Sequence, residues 1–237
     1  MRSIQVFGEG NTDRAVLQSL LADSPIPCAV LARDPDAAPG RDAMLRLAAV
    51  RARTLPHGVI VIVLDRNGHT EAGLHAEVRE VLAREWQRAD LGEGPWWRHA
   101  GHDVHLVLAG LPESLFLVER GVTRRCMDDY LLELFLDSGR LANFLAGENH
   151  LSFRPKDAAQ LKGILVSVAA ELDAQGVRLD SAKRYVHIVQ AVLGFEATRA
   201  TLAGHLVSRA PPALRDRVLG TLRTDILQAP PPPVKPA

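Results

Sequence analysis

A chain of 237 residues, 47% hydrophobic and 24% charged, has the composition of an ordinary globular protein and can bury a sizeable core. Its 28 Lys and Arg balance its 28 Asp and Glu, so no global field draws it toward nucleic acid and any basic surface must be local. The longest apolar stretch, Val59–Leu64, is far too short to span a bilayer, and there is no Gly-x-x-x-x-Gly-Lys-Ser/Thr phosphate loop for ATP hydrolysis.

Residues 3–8 read as a first strand. Asn11 or Thr12 can cap a helix from about Asp13 to Ala22, whose Val16, Leu17, Leu20 and Leu21 fall at helical spacing. Pro25 and Pro27 break it, 28–32 is a second strand, and 33–40 is a loop rich in Asp, Pro and Gly. A second helix over 42–54 leads to Val59–Leu64, a continuous β-branched run of the kind buried on both faces of a parallel sheet. A helix from Thr70 to about Arg88, a Gly-containing loop flanked by Trp86, Trp96 and Trp97, and a strand at Val104–Ala109 follow. The alternation of strand and helix predicts an α/β fold with a mostly parallel sheet between helices. Beyond about residue 113 the texture turns helical, over 114–120, 127–137, 139–146, 157–175, 181–193 and 196–208. The expected organisation is an α/β domain over 1–112, a helical extension over 113–228, and a Pro-rich tail over 229–237.

Two strand ends carry the chemistry. Val6-Phe7-Gly8-Glu9-Gly10-Asn11-Thr12-Asp13 and Val63-Leu64-Asp65-Arg66-Asn67-Gly68 each run from an apolar strand into acidic residues beside glycine. If the strands are adjacent and parallel, Glu9, Asp13, Asp65 and Asn67 converge at one sheet edge as hard oxygen ligands of the type magnesium prefers. Each motif also has a plain structural reading. Glu9 suits a solvated βα turn, Asp13 in a first helical turn is favoured by the macrodipole, and Asn67-Gly68 is a turn dipeptide.

The first motif resembles that of Toprim domains, the catalytic module of topoisomerases and bacterial primases, and is most similar to the versions in OLD-family nucleases and small bacterial Toprim-like proteins. The second resembles that family's Asp-x-Asp strand end, with Asn67 in place of the second Asp. The resemblance covers roughly residues 1–110 and implies a Toprim-like, Rossmann-like fold. It also implies Mg2+ or Mn2+ held by Glu9, Asp13, Asp65 and Asn67, with Glu9 and Asp65 catalytic. Glu113, where some of these proteins carry a further acidic motif, is a candidate to complete the shell; a helix N-terminal Glu is the alternative. The lost charge at Asn67 bears most on a second ion. OLD-type nucleases often carry an ATPase domain, so an ATPase or other protein partner is implied.

Lys156 is a candidate to stabilise a phosphorane-like transition state, as are Lys183 and Arg184, against the ordinary reading of solvated surface cations. His99, His102 and His105 share no face that would give zinc its tetrahedral set. Trp96 and Trp97 suit core packing better than base stacking, and Arg124, Arg125, Arg209, Arg215, Arg217 and Arg223 read as a solvated helix face with mixed charges. Cys28 and Cys126 form no metal-type pair, and no basic start leads into an apolar signal region, so a reduced, cytoplasmic protein is expected.

The expected function is a magnesium-dependent Toprim-type nuclease or phosphoryl-transfer enzyme acting on DNA or RNA, in a bacterial defence or toxin setting and with no membrane role. The alternative is a catalytically inactive Toprim-like binding or regulatory module, which Asn67 favours. A third reading is a nucleotide- or small-ligand-binding α/β protein that uses the sheet edge.

Overall fold

The structure, a computed structural model, describes residues 3–31, 41–54, 58–88, 91–99, 101–137, 155 and 157–228. The loop expected at 33–40, the helix at 139–146, Lys156 and the tail at 229–237 lie outside the described residues. The chain folds into two compact units, one of Met1–Leu64, Thr70–Leu108 and Leu222–Ala237, the other of Asp65–His69 and Ala109–Thr221.

The fold is α/β, with a five-stranded, mostly parallel sheet flanked by helices. Its strands are β1 (Ile4–Gly8), β2 (Cys28–Leu31), β3 (Val59–Asp65), β4 (Trp96–His99) and β5 (His102–Ala109), in the order β2-β1-β3-β5-β4. β1 pairs in parallel with β2 and with β3, in a register that ends at Gly8 opposite Val63. Asp103 N–H donates to Gly58 O at 3.3 Å near the start of β3 and β5, and Arg66 N–H donates to Ala109 O at 3.4 Å near their ends, so these two strands also run in step. The antiparallel edge strand β4 is a departure from the expected loop: Trp96–His99 pairs with His102–His105. Four residues beside a glycine-rich stretch carry too little period-2 signal to stand out as a strand.

Helices α1 (Asn11–Leu21), α2 (Arg41–Thr54) and α3 (Glu71–Trp86) fill the crossovers. Gly10, rather than Asn11 or Thr12, is the N-cap of α1, and Asp13 reaches back to accept the Gly10 N–H at 2.9 Å. Thr70 caps α3 by accepting from Gly73 N–H at 3.1 Å. α2 presents Leu45, Ala48, Ala49 and Ala52 to Leu74, Val78 and Leu82 of α3, and the small alanines let the helices approach. Trp86 Nε1 donates to Ala49 O at 3.2 Å, which satisfies the indole where it is buried. β3 is buried along Val59–Leu64, as its unbroken apolar run requires of a central strand.

The second unit is helical: α4 (Leu115–Glu119), α5 (Asp128–Leu136), α6 (Ala158–Ala174), α7 (Ala182–Leu193), α8 (Arg199–Ser208) and most of α9 (Pro212–Leu227). α5 is its centre and touches α6, α7 and α8. Tyr130, Leu131, Leu132, Leu134, Phe135 and Leu136 are all buried, so this helix is covered on every side. The sequence carries no cue to α9 beyond the helical texture, because Pro211-Pro212 reads as a breaker. Pro212 stands in the first turn, where its missing N–H costs no helical hydrogen bond.

Gly110, just after β5, has φ +126°, and a Cβ there would lie 2.6 Å from Arg125 Cβ and 3.1 Å from the Arg125–Cys126 backbone. The 125–126 segment therefore closes directly over a residue with no side chain. Gly110→Ala is expected to destabilise the protein by about 2–4 kcal/mol through this overlap and the strained φ. An unchanged midpoint in urea unfolding would show that the segment is not packed this closely.

Candidate active site

The parallel pairing sends β1 and β3 to the same edge of the sheet. Glu9 is the first residue after β1, and Asp65 is the last residue of β3, two beyond the final pair Gly8–Val63. β2 lies on one side of β1 and β3 on the other, so the chain reverses direction across the sheet between β1 and β3. In open α/β sheets, ligands bind outside the carboxyl ends of the strands at such a switch point.

In the first unit, Gly8 brings α1 against the strand end: a Cβ on Gly8 would meet Asp13 Cβ at 2.9 Å and Leu17 Cδ1 at 3.2 Å. Asp13 is buried and works as the backbone acceptor for Gly10, which gives it a structural role in the turn. Glu9 is held by a residue that sequence reasoning missed. Arg41, the first residue of α2, donates from Nε to Glu9 Oε1 at 3.0 Å, its Nη2 lies 2.9 Å from the same oxygen, and its Nη1 donates to Glu77 Oε2 of α3 at 3.1 Å. The Arg41 side chain is only 16% exposed and that of Glu9 22%, so the pair is partly screened from water. Arg41 follows the 33–40 stretch, and no local pattern distinguishes it from a solvated helix-start arginine.

In the second unit, Asp65 Oδ1 accepts the Met127 N–H at 2.7 Å, at the start of α5. Met127 provides no side-chain cap of its own, so the carboxylate from the end of β3 does the capping. Asn67 sits at φ +44°, in the left-handed region that Asn tolerates, with its N–H donating to Arg125 O at 2.8 Å. Its place is that of a turn residue. Glu113 is exposed, immediately before Ser114, the N-cap of α4. Lys156 lies outside the described residues.

Among the described residues, no three His, Cys, Asp or Glu side chains gather to hold a metal ion. Magnesium is often held by one or two carboxylates, with phosphate oxygens and water completing the octahedron. At Glu9 an ion would have to compete with Arg41.

The histidines and tryptophans serve packing. Trp96 stacks on His105 at 3.9 Å and Trp86 on His99 at 4.8 Å, while Trp97 and His102 are buried. The arginines of the helical half are largely engaged. Arg124 pairs with Asp180 at 3.0 Å, Arg217 with Asp137 at 2.7 Å and Arg223 with Asp23 at 3.1 Å, and Arg125 donates to Val122 O at 2.8 Å.

The start of α5 also buries two acids. Asp128 has Arg199 Nε 3.6 Å from its Oδ1, and Arg199 Nη1 lies 3.3 Å from His187 Nε2; burial raises the Asp128 carboxyl while Arg199 pulls it back. Asp129 Oδ2 accepts the Leu111 N–H at 3.0 Å, and burial pushes this carboxyl up to about 7. Burial, with Asp129 beside it, also drives the Cys126 thiol far up, so this cysteine stays protonated and is no nucleophile.

Asp65→Ala is expected to cost about 1–2 kcal/mol in urea unfolding, because the Met127 N–H loses its acceptor; Asp65→Asn should keep most of that stability. Equal losses in the two variants would rule out the capping role. For Asp129, the folded-state value lies above that of the unfolded chain. The folded protein therefore keeps a proton that the unfolded chain releases between about pH 4 and pH 7, and stability declines as pH rises through that window. Asp129→Asn cannot ionise, so its unfolding midpoint should fall less between about pH 5 and pH 8 than that of the parent. Identical pH slopes would assign the titration elsewhere.

No known protein family, curated protein or solved structure matches this chain, so its function is argued from the geometry of its own residues.

Proposed function

We propose that the protein is a Toprim-type, magnesium-dependent nuclease or related phosphoryl-transfer enzyme acting on DNA or RNA. The observation that carries this reading is the presence of Glu9 and Asp65 at the carboxyl ends of the two strands that flank the switch point of the sheet. Phosphodiester hydrolysis needs a water to attack phosphorus, neutralisation of the phosphate charge, and a proton for the departing oxygen. Glu9 is suited to move the proton, and Asp65, with the Asn67 side-chain carbonyl, would hold the magnesium ion that meets the phosphate. Bound magnesium would polarise the phosphate oxygens and lower the pKa of the attacking water. Glu9 becomes available to substrate as Arg41 turns from the carboxylate toward the incoming phosphate, for which its planar fork is well matched. The same reading puts the protein in the cytoplasm, in a bacterial defence or toxin setting with an ATPase or other protein partner. No helix among the described residues is long and apolar enough to cross a membrane.

A second reading, a non-catalytic Toprim-like binding or regulatory module, is favoured by the Glu9–Arg41 pair and by Asn67. Incubation of plasmid DNA and of RNA with the protein and magnesium or manganese separates the two. Cleavage should stop with a chelator and fall by about 100-fold or more in Glu9→Gln and in Asp65→Asn, both of which keep the acceptors used by Arg41 and Met127. Cleavage that survives both substitutions would reject the enzyme reading. An uncleaved substrate that is still bound, with no manganese uptake by calorimetry, would establish the module.

A further inference from the structure

The helical unit contains a half-open groove of about 590 Å³, well away in sequence from Glu9 and Asp65. Its walls come from the loop after α4, the outer side of α6, the 178–180 loop and α7. The volume falls in the range of pockets that hold small organic ligands and far exceeds what a lone phosphate needs.

The two acids of the groove are already paired. Asp173 pairs with Arg178 at 3.7 Å, and Asp180 pairs with Arg124 and with Arg184, each at 3.0 Å. Contact with Arg124 holds the Asp180 carboxyl below its usual range, so it stays ionised and neutralised in place. Arg120 lines the same groove and makes no ion pair or side-chain hydrogen bond among the described residues. Both acids of the lining are thus matched, Asp173 by Arg178 and Asp180 by Arg124 and Arg184 from beside the groove, and the Arg120 fork is left to take an anion.

The remaining wall is of a different kind. Ala169, Ala170 and Leu179 give it an apolar surface, and Tyr185 also lines it, with its ring edge-to-face against Phe116 at 5.3 Å. Among the described residues the Tyr185 hydroxyl has no hydrogen-bond partner, and burial raises its pKa, which keeps it a neutral donor. A ligand that fits has an anionic end for Arg120, a partly apolar body for the alanine wall, and an acceptor for Tyr185.

We propose that this groove binds a nucleoside monophosphate, with its phosphate on Arg120 and its base against the Ala169–Ala170 wall. The site goes beyond the sheet-edge reading and does not depend on it. The test is calorimetric titration of the full chain with each of the four ribonucleoside monophosphates, and with adenosine, inorganic phosphate and glucose 6-phosphate as comparisons. At least one nucleotide should bind with a Kd at or below about 1 mM and more tightly than all three comparison compounds. Arg120→Ala should weaken it by about tenfold or more, Arg120→Lys by less, and Tyr185→Phe measurably, while thermal melting of the Arg120 variants stays at the parent value. Failure of all four nucleotides to bind would overturn the proposal. So would equal binding of glucose 6-phosphate or adenosine, or an affinity indifferent to Arg120→Ala.

Discussion

The contact on which most else depends is the 2.7 Å hydrogen bond from the Met127 amide to Asp65. A carboxylate at the end of the central strand β3 serves as the missing cap of α5, the helix around which the second unit packs. The neighbouring backbone adds to this contact within the second unit. Asn67 N–H reaches Arg125 O, Arg66 N–H reaches Ala109 O, and Gly110 admits the 125–126 segment at a distance no other residue allows. The turn after β3 is thus fixed through backbone groups, and Asn67 owes its left-handed conformation to that turn. A residue that reads in sequence as a degraded metal ligand is, in the fold, a turn residue doing what Asn does well.

Glu9 is governed by a different constraint. A carboxylate at a half-buried strand end is costly to desolvate unless a counter-ion meets it, and Arg41 does so while also reaching Glu77. The network ties the end of β1 to the start of α2 and the second turn of α3 through three side chains that are distant in sequence. It also sets the chemical problem at this edge, because an acid that is useful for catalysis is already satisfied. Under the proposed phosphoryl-transfer reading, phosphate competes for the guanidinium and so frees the acid. The chemistry proposed for the edge therefore couples Glu9 to substrate arrival, in place of a preformed metal cage.

Burial without full compensation marks the start of α5. Asp128 and Asp129 sit in the first turn, where the helix dipole favours negative charge, yet both are almost fully enclosed. Arg199 offsets one, and the Leu111 amide and Cys126 the other, yet burial still raises the Asp129 carboxyl, because these donors do not make up for the loss of water. Such a group lowers stability at neutral pH while fixing the connection between the end of β5 and the central helix.

Much of this architecture is legible in the sequence. The unbroken β-branched run Val59–Leu64, the helical spacing of Val16, Leu17, Leu20 and Leu21, and the helical run from Thr70 specify the α/β layering, because local periodicity and burial are short-range properties. The strand ends at Glu9 and Asp65 follow from the same signals, and their common edge follows once the strands pair in parallel. Other features had no local signature. β4 is four residues long, and α9 begins on a proline that reads as a breaker. The partners of Glu9 and Asp65 lie 32 and 62 residues away. The sequence by itself determined which acids reach the end of the sheet. Only the tertiary structure decided what each carboxylate touches, because a buried charge takes whichever donor the packed chain delivers, and that delivery depends on contacts that no short window of sequence contains.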